Sequence, residues 1–279
     1  MGFGRVGDLR MSAAITLEDV GVRYGSQVAI HDVHAIFETG SLTALAGPNG
    51  SGKSTLLKVI AGIVRPQRGR MVVDPALRGQ IAYLPQGAGL ARDFPITVLE
   101  AVCAGFWRQT GEGGALTLAM RAQAQEALER VGLGGFGGRQ IGALSGGQFQ
   151  RVLFARTIVE DARVILLDEP FAAVDQDTTA RLIAIIMDWH AQGRTVICVL
   201  HDLMLIRKYF PDSVVLAGRC IGRGHTHDLF RQKLLSFDLD MAELHTAGEE
   251  IPVSEHADGA ECPCGHDHGE ADKGGRNGH

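Results

Sequence analysis

The sequence predicts an α/β fold built on a parallel sheet, and three stretches carry that prediction. In the first, the apolar run Ser41-Leu42-Thr43-Ala44-Leu45-Ala46 leads into a glycine loop, Gly47 to Thr55, and the loop into an apolar helix that ends at Gly62. In the second, Arg163-Val164-Ile165-Leu166-Leu167 runs into adjacent carboxylates, Asp168 and Glu169. In the third, Arg194-Thr195-Val196-Ile197-Cys198-Val199-Leu200 ends in His201-Asp202. Short continuous apolar runs of this kind belong to strands covered on both faces. Polar side chains at their C-terminal ends stand where open α/β sheets hold ligands.

The loop spells Gly47-Pro48-Asn49-Gly50-Ser51-Gly52-Lys53-Ser54-Thr55 and fits G-x-x-x-x-G-K-[ST] without a mismatch. Glycines let the backbone turn its N–H groups inward onto a phosphate chain. The helix that follows adds its dipole and its unpaired donors. Lys53 supplies a mobile positive charge, and the Ser54 hydroxyl suits Mg²⁺, which prefers oxygen ligands. Strand, loop and helix in this order predict a site for a nucleoside triphosphate.

Composition narrows the class. At 279 residues, 45% hydrophobic and 21% charged, the chain matches an ordinary globular protein large enough for one big domain or a core with a subdomain. A formal charge of -5 offers no basic footprint for nucleic acid. No apolar run approaches the roughly 20 residues that span a bilayer. Residues 1–14 read as an N-terminal extension. Met1 to Arg10 lacks the apolar centre of a signal peptide, Gly2 lacks a myristoylation context, and Met11 is an alternative start. These readings place the chain in the cytoplasm unless a partner holds it at a membrane. Five cysteines are too few and too scattered for a disulfide framework, and Cys103, Cys198 and Cys220 are expected as small core residues.

In chain order, Ile15 to Tyr24 and Val28 to Phe37 alternate like antiparallel strands around a Gly25-Ser26 turn. Tyr24 is either a platform for a base or a plain edge aromatic. Gly69 to Asp74 and Gln80 to Gln86 are two further strands. Gln86 would reach the phosphates if its strand neighbours the loop strand, where its side-chain oxygen suits Mg²⁺ or water; otherwise it is an ordinary loop residue. Residues from about Gly87 to Gly142 read as helical, with a capping box at Thr97 and Glu100 and an amphipathic helix over Leu118 to Val131. This is a helical insertion into the α/β core. Leu144-Ser145-Gly146-Gly147-Gln148 then opens another helix with Ser145 as its cap, a second anion site made of the same parts as the first. One nucleotide does not need both; two chains facing each other would use both.

Asp168 is placed to hold Mg²⁺ directly or through water. Glu169, pointing elsewhere, is placed to orient or deprotonate an attacking water. His201, on the same sheet edge, is placed to bond a phosphate or to steady Glu169 and water. Asp177 to His190 reads as an amphipathic helix, and Ser213 to Gly224 as two short strands closing the core.

With Gly47 to Thr55, Leu144 to Gln148 and Val164 to Glu169 in this order, the sequence resembles the ATP-binding subunit of an ABC transporter over about Ile15 to Gly224. The resemblance implies a P-loop NTPase (RecA-like) core with an antiparallel β subdomain and an inserted helical subdomain, the ABC ATPase fold. Its ATPase domain would span 15–224, with the helical part at about 87–150. It implies ATP and Mg²⁺ as ligands, Tyr24 as the adenine-stacking aromatic and Gln86 as the Q-loop glutamine. It further implies Asp168 as the Mg²⁺ aspartate, Glu169 as the catalytic carboxylate, His201 as the switch histidine and Asp175 as the D-loop aspartate, although Ala172-Ala173-Val174 departs from the commoner pattern there. In such proteins two copies pack head to tail. Each ATP would lie between the Gly47–Thr55 loop of one copy and Ser145-Gly146-Gly147-Gln148 of the other, and the pair would drive a membrane permease from the cytoplasmic face.

Phe94-Pro95-Ile96-Thr97-Val98, soon after Gln86, resembles a stretch of the zinc and manganese importer branch, where it would face the permease. That branch implies an extracytoplasmic metal-binding protein as an indirect partner, with uptake of zinc as the first reading and of manganese, iron complexes or another small solute as the alternative. Residues 225–247 have helical spacing, and 248–279 are rich in Gly, Asp, Glu and His and predict a disordered tail. In it Cys262, Cys264, His266 and His268 supply thiolate and imidazole donors, which suit Zn²⁺, Cu⁺ or Ni²⁺ better than Mn²⁺.

Overall fold

The computed structural model describes residues 12–86, 94–111 and 114–235. β1 (Ala13–Tyr24), β2 (Gln27–Glu38) and β4 (Arg68–Val73) form a three-stranded antiparallel sheet in the order β2-β1-β4. A second sheet of six strands runs β5-β6-β7-β3-β8-β9, from β5 (Ile81–Leu84) through β6 (Val164–Asp168), β7 (Thr195–Val199), β3 (Leu42–Ala46) and β8 (Asp212–Leu216) to β9 (Cys220–His225). All its neighbours are parallel except the β8–β9 hairpin. The strands expected from apolar patterning are all present, and the antiparallel start is as expected.

Two cores form on the two faces of the parallel sheet, because successive side chains of a strand point to opposite faces. Ile165 and Leu167 of β6, with Val196 and Cys198 of β7, face one core. Val164, Leu166, Ile197 and Val199 face the other. The second core is closed by α1 (Lys53–Ile60) and the inner face of the antiparallel sheet. The first is closed by α5 (Gly146–Glu160) and α6 (Gln176–Ala191), and it continues into α2 (Val98–Cys103) and α4 (Leu118–Arg130). A short α3 (Trp107–Thr110) lies between α2 and α4. α7 (Leu203–Tyr209) and α8 (Thr226–Arg231) complete the helices among the described residues. None of these helices is long and apolar enough to cross a membrane.

The helix starts follow from their caps. Thr97 caps α2 by accepting from Glu100 N at 3.2 Å, and Glu100 returns the bond, its Oε2 accepting from Thr97 N at 2.7 Å. These bonds to the Glu100 carboxylate hold it below the usual range. Ser145 and Gln148 form the same reciprocal box at the start of α5. α6 begins one residue after Asp175, whose Oδ1 accepts from Thr178 N at 2.7 Å. α4 stops where Gly132 takes a left-handed turn at φ 74°. Cys103 and Cys198 are buried as expected, whereas Cys220, at the start of β9, is only half-buried.

One expectation needs correction. The condition that would bring Gln86 to the phosphates, β5 beside the loop strand, is not met: β6 and β7 lie between β5 and β3. Gln86 reaches the site by another route, described below.

α5 and α6 meet through Phe154 and Trp189, both buried, whose rings stack at 5.3 Å with 11° between planes. Phe154→Ala is expected to cost about 3–5 kcal/mol of stability. The urea midpoint should fall with little change in slope; an unchanged midpoint would show that this contact does not hold the two helices.

Candidate nucleotide site

The glycine loop leaves β3 and enters α1. Gly47, Gly50 and Gly52 all have positive φ, at 141°, 79° and 93°. A side chain at Gly47 would run into the Leu216 carbonyl, and one at Gly52 into Ile30 and the Ala29 carbonyl. Glycine is therefore required at both positions by sterics as well as by torsion. The loop is anchored from the β8–β9 turn, where Gly218 N donates to the Ser51 carbonyl at 3.0 Å. The Ser51 hydroxyl is buried beneath the loop without a hydrogen-bond partner. Pro48 and Asn49 complete the loop, and Thr55 follows Ser54 in the first turn of α1.

Lys53 is buried, and its Nζ donates to the carbonyls of Gly47 and Pro48, both at 2.8 Å. The ammonium is thus folded back over the loop it serves. Burial pulls its pKa down, opposed by the negative charges of Glu169 and Asp168.

The alternation of β6 separates the two carboxylates. Asp168 follows Leu166 on the α1 side, where its Oδ1 accepts from the Ser54 hydroxyl at 3.0 Å. Its Oδ2 accepts from the Tyr83 hydroxyl at 3.1 Å. Burial pushes the Asp168 carboxyl upward, and the bonds from Ser54 and Tyr83 oppose it. A carboxylate and a hydroxyl at this distance form a hard oxygen pair that fits Mg²⁺.

Glu169 leaves the strand with a left-handed backbone, φ 51°. Strain of this kind at a non-glycine residue collects at functional sites. Its Oε1 is paired with His201 Nε2 at 2.7 Å, and its Oε2 accepts from Gln86 Nε2 at 2.8 Å. Gln86 therefore reaches the site through the neighbour of its own strand, since β5 pairs with β6. His201 stands just before Asp202, which caps α7 by accepting from Met204 N and Leu205 N at 2.8 and 3.1 Å. Glu169 and His201 also edge a cavity of about 500 Å³ between α6 and α7, walled by Ile183, Leu205 and Tyr209.

The second glycine pair lies at the start of α5. Ser145 Oγ accepts from Gln148 N, and Gln148 Oε1 accepts from Ser145 N, so these two side chains are committed to capping. The N–H groups of Gly146 and Gly147, in the first turn, have no intrahelical partner by construction. Gly147 packs so closely on the Ala173 carbonyl that a side chain there would overlap it. Tyr24 closes β1 with half its surface exposed.

The structure brings together Lys53, Ser54, Gln86, Asp168, Glu169 and His201, all expected from the sequence. It adds Tyr83, which sequence reasoning missed; the available signal was a tyrosine in the strand ending at Gln86. Cys262, Cys264, His266 and His268 lie outside the described residues, as does 236–279 as a whole. Among the described residues no cluster of three or more His, Cys, Asp or Glu is arranged to hold a metal ion.

Comparison with known proteins identifies the family and the fold. The family model described as ABC transporter matches residues 30–172. The manganese transport system ATP-binding protein MntB of Listeria innocua is 35% identical over 227 residues, covering 80% of this chain and 95% of that one. The zinc transport system ATP-binding protein TroB of Treponema pallidum is 36% identical over 224 residues, covering 79% and 84%. Among solved structures, the dimeric post-hydrolysis state of the ATP-binding cassette MJ0796 bound to ADP and Pi aligns with a TM-score of 0.67 at 26% identity, covering 76% of this chain and 98% of that one. With that match over half its length and relatives covered nearly end to end, the chain belongs to the ABC transporter family, as an ATP-hydrolysing subunit with the ABC cassette fold.

Proposed function

We propose that this chain hydrolyses ATP between two head-to-tail copies of itself to power uptake of a divalent metal ion, zinc, through a separate membrane permease. The observation that carries the hydrolytic part is Glu169, gripped on one oxygen by His201 and on the other by Gln86. A carboxylate has lone pairs to spare beyond these two bonds. It is thereby oriented to accept a proton from a water approaching the γ-phosphate. Tyr24 is the platform for adenine. The N–H groups of Gly47 to Thr55 and Lys53 bind the phosphates, and the Lys53 ammonium moves from its carbonyl partners to phosphate oxygens. Ser54 and Asp168 would hold Mg²⁺, and Gln86 is a further candidate to contact it. When bound, the ion neutralises charge on the transferring phosphoryl group. Ser145, Gly146 and Gly147 of the second copy close on the same γ-phosphate, with Gln148 holding Ser145 in place. Two copies are favoured together only when that phosphate is present, which is the differential contact a switch requires.

Exposed apolar side chains support a membrane partner. Phe94 and Trp107, on the segments flanking α2, are 63% and 62% exposed. Ile96 N donates to the Phe94 carbonyl, and Ile141 N to that of Ile96, which tethers this stretch to the subdomain. It is the surface we assign to the permease, at the cytoplasmic face of the membrane. An extracytoplasmic metal-binding protein would deliver the ion on the other side, and nucleic acid has no place in this reading.

For the metal, the names of the relatives support a manganese or zinc system alike. The tail donors Cys262, Cys264, His266 and His268 favour zinc, because thiolate and imidazole suit it better than manganese. The manganese reading is the alternative, favoured by relatives named for that metal in several bacteria. Iron complexes or another small solute form the remaining class.

Three experiments test this. Glu169→Gln should abolish turnover and trap an ATP-bound dimer, whereas Lys53→Ala should weaken ATP binding itself; normal hydrolysis by the Glu169→Gln protein would remove Glu169 from the reaction. Cells lacking this chain, grown in metal-poor medium, should lose zinc selectively. Selective loss of manganese would move the assignment to that metal, and no change in either would leave another solute. A chain ending at Ala247 should also bind less zinc than the full chain, and equal binding would take the tail out of the account.

A further inference from the structure

Asp168 is buried, and each of its two oxygens has one hydroxyl partner: Ser54 on Oδ1 at 3.0 Å and Tyr83 on Oδ2 at 3.1 Å. Ser54 belongs to the loop and helix that take the nucleotide. Tyr83 belongs to β5, outside every motif of the site. The register explains how it arrives. Tyr83 pairs with Leu166 across the β5–β6 ladder, and Asp168 lies two residues further along on the same face. At about 3.3 Å per residue that step is roughly 7 Å, the reach of a tyrosine side chain. The ring is packed against the core on the α1 side, so the hydroxyl is delivered from a fixed base.

We propose that Tyr83 is a positioning residue for the Mg²⁺ site. It pins Oδ2 of Asp168 so that Oδ1 stays turned toward Ser54 and the ion. The reasoning is that of outer partners around a metal ligand: a ligand carboxylate is itself held by a hydrogen bond, and the loss of such a partner typically weakens metal affinity 10–100-fold. A buried oxygen left without a donor carries a desolvation cost, so the carboxylate would turn in search of another partner. A phenol hydroxyl is a ready donor to a carboxylate. Phenylalanine in its place keeps the ring and its packing and removes only the donor.

This inference rests on the reading of Asp168 as a Mg²⁺ ligand, so the test separates the two. The full chain is titrated calorimetrically with the β,γ-imido analogue of ATP, first in EDTA and then at increasing Mg²⁺. Tyr83→Phe should bind the analogue in EDTA as the unaltered chain does, but should need about 10-fold more Mg²⁺ to reach half of the metal-dependent tightening. Asp168→Asn should raise the same requirement at least as far. If Asp168→Asn raises it and Tyr83→Phe does not, the positioning role of Tyr83 is wrong while Asp168 keeps its assignment. If neither variant moves it, Asp168 is not the ligand and the inference falls with it. Equal weakening in EDTA and in Mg²⁺ by Tyr83→Phe would make the hydroxyl a general packing contact and overturn the proposal.

Discussion

β6 is hydrogen-bonded on both sides, to β5 up to Leu167 and to β7 as far as Asp168, and each of its faces is committed to a different core. A slip of one residue would exchange the two faces and place Ile165 and Leu167 where Val164 and Leu166 pack. The chemistry depends on the same constraint. Asp168 is the last residue of the ladder and inherits the α1 side, where it meets the Ser54 hydroxyl. Glu169 is the first residue beyond it, with its backbone in the left-handed region, and is aimed at His201 and Gln86 instead. Two adjacent carboxylates of the same charge thus acquire different partners without competing for one position.

The left-handed turn at Glu169 costs about 1–2 kcal/mol for a residue with a side chain. It is held in place by its neighbours. The next left-handed residue, Ala173 at φ 60°, lies four positions on, and Asp175 then caps α6. The segment between the two strained residues is short and pinned at both ends, by a strand on one side and a helix cap on the other. That is a rigid mount for the Glu169 carboxylate. The two side-chain bonds to Glu169 come from opposite neighbours in the sheet: Gln86 follows β5 and His201 follows β7. The carboxylate is therefore centred by the sheet itself.

Much of this was legible in the sequence because the strands are continuous apolar runs and the loop is a spaced string of glycines around Lys53. Local rules were enough for the caps at Thr97 and Ser145, whose partners lie within three residues. What was hidden is long-range. Gln86 was tied by its expected role to the loop strand, but strand order depends on which crossovers pack, and a single sequence does not spell that out. Tyr83 was invisible for the same reason. An alternating strand says that a tyrosine faces one side, not that Asp168 stands diagonally across the ladder, 85 residues away in the chain. The Lys53 bonds to Gly47 and Pro48 follow from local geometry, but only once the loop's torsions are known.

The two glycine stretches are linked through packing within one chain. Gly147, at the N-terminus of α5, presses on the carbonyl of Ala173, and Ala173 sits in the strained segment that runs from Glu169 to the α6 cap. A displacement of the α5 N-terminus, whether imposed by a phosphate on Gly146 and Gly147 or by the subdomain that α5 shares with α2 and α4, meets that segment directly. Because Gly147 has no side chain and Ala173 is already in a left-handed conformation, little slack exists between them. α5 is also clamped to α6 by the Phe154–Trp189 stack, which fixes its middle to the core. The contact of Gly147 with Ala173 therefore links the start of α5 to the backbone beside Glu169 within a single chain.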